Sequence, residues 1–355
     1  MNLPPLPSPE VDPTPIFEFY RGSYGSELLT AAVAEFDLFN QLVQEPQTFY
    51  DLRNTIGLEE RPAMVLITAM RAFGLIEQDN SQRLRLTPLA REHLVPGGVF
   101  DVRDYIGLAA DSPGVHEMVK RLRTNKPAGS GENDEEGVAF MYKDGVESAM
   151  ERETSARFLT MALAGRAKNV APVLAEQYPL DSAEVLMDIG GGTGIYSIAY
   201  LRRFPNLRAI VIDRPEVLKI TEEMAEEYGV TDRLSVHPGD MFSDPIPQEA
   251  DVILLSNVLH DWDVPECKQL IQRCADELPS GGHLLIHDVF LNDTMDGPIP
   301  IALYSAALFT LTEGRAYSAA EYRSWLETTG LIPGEITETL IHCGVLPATK
   351  RPPNH

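Results

Sequence analysis

The stretch Asp188-Ile189-Gly190-Gly191-Gly192-Thr193-Gly194 constrains this chain more than any other. It follows the apolar run Val185-Leu186-Met187 and precedes a helical pattern starting near Tyr196. Glycines there permit positive φ and let a ligand lie against bare backbone, while the start of a helix offers unpaired N–H donors. A turn that held nothing would lose backbone entropy in ordering four glycines among five residues, with no local return. A nucleotide-like ligand is therefore expected. The dinucleotide fingerprint G-x-G-x-x-G needs Gly or Ala at its last place; counted from Gly190 that place is Ile195, which weakens a pyrophosphate reading.

Around this loop short apolar runs alternate with helical patterns. Val185-Leu186-Met187, Ala209-Ile210-Val211-Ile212, Val252-Ile253-Leu254-Leu255 and Leu284-Leu285-Ile286 read as parallel strands buried on both faces. The fold class expected is α/β, an open Rossmann-like sheet covered by helices. Ahead of it, Leu28, Leu29, Ala32, Val33, Phe36 and Phe39 recur at helical spacing, as do Met64, Leu66, Ile67, Met70 and Phe73. Gly74 ends the second run, and Leu75-Ile76-Glu77 and Leu84-Arg85-Leu86 predict two short strands around a turn. Helices closing in a small hairpin suggest a winged helix. The organisation expected is a proline-rich arm over 1–15, a winged-helix domain over 16–105, a helical connecting region over 106–175 and the α/β domain over 176–350. The Gly/Asp/Glu-rich stretch Ala128–Gly137 predicts a mobile loop, with helical patterning from Val138 through Leu174.

Charge and composition remove several classes of partner. Lys and Arg number 29 against 53 Asp and Glu, so nucleic acid and anionic membrane would meet net repulsion. Residues 1–105, which carry the hairpin, hold 8 Arg and no Lys against 15 acidic residues. A DNA-reading winged helix needs a basic face; the candidate recognition helix, Arg61 to Phe73, offers only Arg61 and Arg71. No run approaches the ~20 apolar residues of a membrane span, and the first residues lack the basic and apolar regions of a signal peptide. Three scattered cysteines, Cys267, Cys274 and Cys343, make no disulfide framework and fit a cytoplasmic protein; Cys267 and Cys274, seven apart on a predicted helix, read as core-facing.

Further candidates stand at strand ends, where open α/β sheets bind ligands. Asp213 ends the second strand, 23 residues beyond Gly190, as a ribose-binding carboxylate does, although Asp there also caps helices. Gly239-Asp240-Met241-Phe242 offers a carboxylate for an exocyclic amine and a thioether for a ring face. Ser256-Asn257-Val258-Leu259-His260-Asp261-Trp262 brings His260 to the rim of the crevice as a candidate base; the plainer reading is a satisfied imidazole beside Trp262. His260, Asp261 and His287 could meet, but no metal-ligand spacing such as H-E-x-x-H is present and no metal is expected.

These four motifs in this order, with Cys267 downstream, resemble those of SAM-dependent small-molecule O-methyltransferases related to the caffeate and hydroxyindole enzymes. The resemblance covers nearly the whole chain and implies an N-terminal winged-helix dimerisation domain, hence a homodimer. It implies S-adenosylmethionine as cofactor: Asp188 begins the loop, Gly190 and Gly192 lie against its amino-acid end, Asp213 binds its ribose, and Asp240 with Met241 holds its adenine. Ser256 stands where many plant members carry a Lys that reaches the cofactor. His260 matches the general base, Asp288 the carboxylate that orients it, commonly Glu, and Glu313, one place ahead of the aligned Gly314, a substitute for the second carboxylate. Phe158, Met161, Trp262 and the helix with Tyr304, Leu308 and Phe309 would wall a flat aromatic substrate, or else serve as core. The activity implied is methyl transfer to a hydroxyl of an aromatic or other secondary metabolite. A C- or N-methylating relative of the same fold is the alternative within the enzyme class, and a winged-helix DNA-binding regulator the alternative outside it.

Overall fold

The computed structural model describes residues 3–127 and 153–351. The Ala128–Gly137 stretch and the beginning of the helical pattern at Val138 lie outside the described residues. In chain order the helices are α1 (Thr14–Tyr20), α2 (Ser23–Thr30), α3 (Leu38–Gln41), α4 (Phe49–Ile56), α5 (Glu60–Ala72), α6 (Pro88–His93), α7 (Arg103–Gly107), α8 (Pro113–Thr124), α9 (Glu153–Gln177), α10 (Ile195–Arg203), α11 (Pro215–Glu227), α12 (Val264–Glu277), α13 (Ile299–Leu311) and α14 (Ala319–Thr328).

The chain forms two compact units. One comprises Ile16–Ala139 and Leu291–Ser318, the other Met1–Pro15, Phe140–Phe290 and Ala319–His355. In this division the residues 106–175 are shared between the units, and 291–318 goes with the helical one. The cause is hydrophobic. Helix α13, IPIALYSAALFTL, is apolar nearly all round and packs on α5, burying Ala306 and Phe309 completely in the core that also holds Leu66 and Met70. Phe309 is thus a core residue of the helical unit, and Leu308 is buried.

In the helical unit the run from Leu28 to Phe39 is not one helix. After α2 the backbone widens so that Phe36 N–H reaches the carbonyl of Ala31, and Asp37 turns left-handed at φ 43° before α3. The expected hairpin is present as β1 (Ile76–Gln78) and β2 (Leu84–Leu86), antiparallel with Glu77 opposite Arg85. Arg61, the first cation of the candidate recognition helix, is 5% exposed. Its guanidinium donates to Asn125 and to the carbonyls of Thr312 and Gly314, and lies over the Phe309 ring, so no phosphate can use it. The two-residue strand β8 (Tyr317–Ser318) closes this unit.

The α/β unit is built on β3 (Val185–Ile189), β4 (Arg208–Asp213), β5 (Leu234–Pro238), β6 (Val252–Ser256), β7 (His283–Leu291), β9 (Leu331–Pro333), β10 (Thr337–Glu338) and β11 (Cys343–Lys350). The sheet runs β10-β11-β7-β6-β3-β4-β5, with β9 on β11. Strands β7, β6, β3, β4 and β5 are parallel and β11 runs antiparallel to β7. The chain moves outward from β3 to β5, then restarts at β6 on the other side, so β3 and β6 flank the point where strand order reverses. Helix α12 shows why the coverings form: Asp263 caps it by accepting from Val264 N–H at 2.8 Å, and Cys267, Leu270, Ile271 and Cys274 recur at helical spacing and are all buried.

Candidate active site

The glycine loop leaves β3 with Gly190, Gly192 and Gly194 at φ 69°, 58° and 69°. Gly190 N–H donates to Ile212 at 2.8 Å, which ties the loop to β4. A Cβ on Gly194 would stand 2.8 Å from Thr221 Cγ2, whereas around Gly192 the space is open. Thr221 in turn donates its hydroxyl to the Gly192 carbonyl at 2.6 Å. The loop is thus closed toward α11 and open at the one glycine whose N–H faces Asp213, a cradle shaped for a ligand.

Two carboxylates flank it. Asp213 accepts from Gly192 N–H at 2.9 Å and from Arg214 N–H at 2.8 Å. It does not cap α11, whose N-cap is Arg214, so the capping reading is set aside. Burial raises its pKa, and the two N–H bonds and the Arg214 charge oppose that. Asp188 is 1% exposed; one oxygen accepts from Ser197 at 2.8 Å and the other, Oδ1, has no partner. Burial pushes this carboxyl up to about 7, against the Ser197 bond and with help from the Asp213 charge. A buried acceptor without a donor is a strong reason to expect a polar ligand group there.

Past β5, Asp240 is exposed and accepts from Phe242 N–H at 2.8 Å, and Met241 is half-buried with its carbonyl held by Arg273 at 2.9 Å. Trp262 is buried and meets Phe242 edge to face at 4.7 Å between ring centroids.

The end of β6 lies against the glycine loop, since a Cβ on Gly190 would fall 2.9 Å from Val258. The next turn, Leu259–Asp261, carries His260. His260 Nδ1 stands 2.6 Å from Asp288 Oδ1, with both residues buried, so the Asp288 side chain spans the gap despite being one methylene shorter than Glu. That bond puts the imidazole proton on Nδ1 and the basic lone pair on Nε2, which is 3.7 Å from Asp261 Oδ1. Burial alone draws the His260 pKa down, but Asp288 and Asp261 outweigh it and the net direction is upward. Asp261, desolvated beside this pair, is pushed up to about 7. Tyr322 on α14 directs its hydroxyl at the second Asp288 oxygen, 3.4 Å away.

Ser256 turns inward: its hydroxyl shares a 2.9 Å hydrogen bond with His287 Nδ1 and accepts from Asn257 at 3.1 Å. The other His287 nitrogen meets Thr339 at 3.1 Å, and burial, with the Arg166 charge, lowers this histidine to about 3. With both ring nitrogens engaged by hydroxyls, His287 does not join His260 and Asp261 in a ligand set. Among the described residues no three His, Cys, Asp or Glu side chains are grouped to hold a metal. Phe158 and Met161 stand one turn apart on α9, 73% and 40% exposed. Glu313 belongs to the helical unit, between α13 and β8. Sequence reasoning passed over Arg166, Tyr322 and Thr339, which no motif marks, and gave no role to Tyr196 or Asn257 although both lie beside quoted motifs.

A glycine cradle at the switch point, with the buried His260–Asp288 pair beginning on the turn past β6, suits a group-transfer enzyme that uses a nucleoside-derived donor. Comparison with known proteins gives the family. A model of the O-methyltransferase domain matches residues 130–332, and the chain belongs to that family. It is 32% identical to the 3-hydroxy-5-methyl-1-naphthoate 3-O-methyltransferase of Streptomyces sahachiroi over 90% of this chain and 89% of the relative. It is 30% identical to the acetylserotonin O-methyltransferase of Bos taurus, over 88% and 90%. Among solved structures, an O-methyltransferase family 2 protein of Planctomyces limnophilus, determined in complex with apigenin, superposes with a TM-score of 0.87 at 44% identity, covering 99% of this chain and 100% of that one. The chain is accordingly an O-methyltransferase, and the regulator reading falls away. No helix among the described residues is long and apolar enough to cross a membrane.

Proposed function

We propose that this enzyme transfers a methyl group from S-adenosylmethionine to a phenolic hydroxyl of a flat aromatic metabolite, with His260 as general base. The observation that carries the base assignment is the buried 2.6 Å bond from His260 Nδ1 to Asp288. Bound S-adenosylmethionine supplies an electrophilic methyl on a cationic sulfur. The chain has then to align the acceptor and remove its proton, the alignment alone being worth several powers of ten in rate. His260 takes that proton at Nε2, and Asp288 stabilises the imidazolium that results.

The cradle fits the donor. Gly190 and Gly192 provide bare backbone for its amino-acid end, and Asp188 Oδ1 is an acceptor awaiting a polar hydrogen. Asp213 spends one bond on each oxygen and keeps a lone pair on each for ribose hydroxyls. Asp240, exposed past β5, and the half-buried Met241 beside it would take the adenine amine and ring. Phe158 and Met161, large and exposed on one face of α9, suit the apolar acceptor. A neutral amine or an activated carbon has less need of a base, so the histidine favours oxygen over the C- and N-methylating alternative.

Calorimetric titration with S-adenosylmethionine and S-adenosylhomocysteine, followed by methyl-transfer assays on phenols, tests this reading. His260→Ala should lower turnover about a hundredfold with cofactor binding nearly unchanged; equal loss of binding would sink the base assignment. The helical unit exposes Phe19, Tyr20, Val99, Tyr105 and Leu108, each at least 79% accessible, which supports a homodimer through that unit. A monomer in sedimentation at micromolar concentration would count against it. Three buried cysteines, none in a disulfide, fit a reducing, cytoplasmic location.

A further inference from the structure

We infer that Arg166 is a positioning residue for the base, holding the end of β6 through Asn257 and thereby setting where His260 stands; the inference rests on the base assignment above. Asn257 adopts φ 57°, a left-handed conformation uncommon for residues with a Cβ and taken up by asparagine more readily than by most. Its surroundings hold it at the backbone N–H and at both ends of the side-chain amide. Its N–H donates to the His287 carbonyl at 2.9 Å, and its amide nitrogen donates to Ser256 at 3.1 Å and Tyr196 at 3.3 Å. Its amide oxygen accepts from Arg166 Nη1 at 2.8 Å. That last bond also decides which way the amide faces, because a guanidinium can only donate.

Asn257 is the joint on which both members of the catalytic pair depend. Val258, the next residue, abuts Gly190, and His260 follows two places later on its turn. On the partner strand the carbonyl that Asn257 holds belongs to His287, the residue immediately before Asp288. Rotation of the Asn257 peptide would therefore move His260 and Asp288 relative to each other, and a 2.6 Å contact has little slack. Arg166 locks that rotation from a third element, α9, while its second terminal nitrogen donates to Cys343 on β11 at 2.8 Å. Two donors on one rigid plane reach β11 and the residue just past β6 at once, which a lysine cannot do.

The test uses the full-length protein with 15N-labelled histidine. The Nδ1–H resonance of His260, identified by its loss in His260→Ala, is followed together with the affinity for S-adenosylhomocysteine and with kcat on a polyhydroxyflavone and a hydroxynaphthoate. Arg166→Met should shift or broaden that resonance and lower kcat about tenfold to a hundredfold, with S-adenosylhomocysteine affinity within about twofold. Asn257→Gly, which keeps the left-handed backbone and the charge on α9, should do the same if Arg166→Met folds poorly. The double variant should be no worse than the more damaged single one, and Arg166→Lys should recover part of the loss. An unmoved resonance with wild-type kcat in Arg166→Met, or losses that multiply in the double variant, overturns the inference. Retained turnover in His260→Ala overturns the base assignment and the inference with it; an inactive His260→Ala beside a wild-type Arg166→Met overturns the inference alone.

Discussion

The thiol of Cys267 donates to the carbonyl of Leu259 at 3.1 Å and lies 3.4 Å from that of Trp262, so one side chain brackets the turn that carries His260. Cys267→Ala should loosen the turn and lower kcat severalfold with little change in cofactor affinity, whereas Cys267→Ser, a stronger donor of similar size, should keep most of it. Steady-state kinetics beside calorimetry separate the two effects. Wild-type kcat in the alanine variant would make the thiol a packing residue only.

Turnover should depend on pH through His260. Its pKa lies above the ordinary value of about 6.5, and the base works only when neutral, so activity should rise with pH through a limb displaced upward from that value. Asp288→Asn removes the largest influence that raises it and leaves burial to dominate. The limb should then move to lower pH while kcat drops about a hundredfold or more. A limb that stays in place in that variant would assign the titration to another group.

Stability without ligand should fall from about pH 5 to pH 8, because Asp188 is a carboxyl whose folded pKa, about 7, exceeds its unfolded value near 4. A group shifted in that direction favours the folded state below its unfolded pKa, and the advantage is lost as pH rises through the folded one. Asp188→Asn should flatten this slope and stabilise the ligand-free protein at pH 8 by about 1–3 kcal/mol, while weakening donor binding. Denaturant melts at the two pH values, with and without S-adenosylhomocysteine, give both numbers. An unchanged slope would mean that Asp188 is ionised at little cost.

Two glycines should respond oppositely to alanine. Gly194 is left-handed and faces Thr221 Cγ2 at 2.8 Å from a would-be Cβ, so Gly194→Ala should destabilise by about 2 kcal/mol. Gly165 sits within α9 with nothing inside 4 Å, and Gly165→Ala should be neutral or stabilise by about 0.5–1 kcal/mol. Similar losses in both variants would contradict the packing described for the loop.

What could be read from the sequence was whatever repeats a local rule. Buried parallel strands announce themselves as unbroken apolar runs, and four glycines in five residues permit few turns, so β3, β4, β6 and the cradle were legible. Asp213 was legible because it ends such a run, whereas Asp288 came only from the family resemblance. Side chains whose role is set by a partner far along the chain were not. Nothing in the sequence around Arg166 says that its guanidinium meets Asn257, 91 residues later. The apolar character of α13 likewise does not say which core it joins, and its packing on α5 is visible only in the structure. Cys267 read as core-facing and is, but burial alone does not tell that its thiol is also a donor.

Because Leu291–Ser318 completes the core of a unit that began at Ile16, neither unit is a contiguous gene segment. Recombination that exchanged only the N-terminal half between relatives would pair one parent's α5 with the other parent's α13. Such hybrids would lose stability and solubility unless the crossover also carried 291–318. The two stretches should therefore be inherited, and redesigned, as one block.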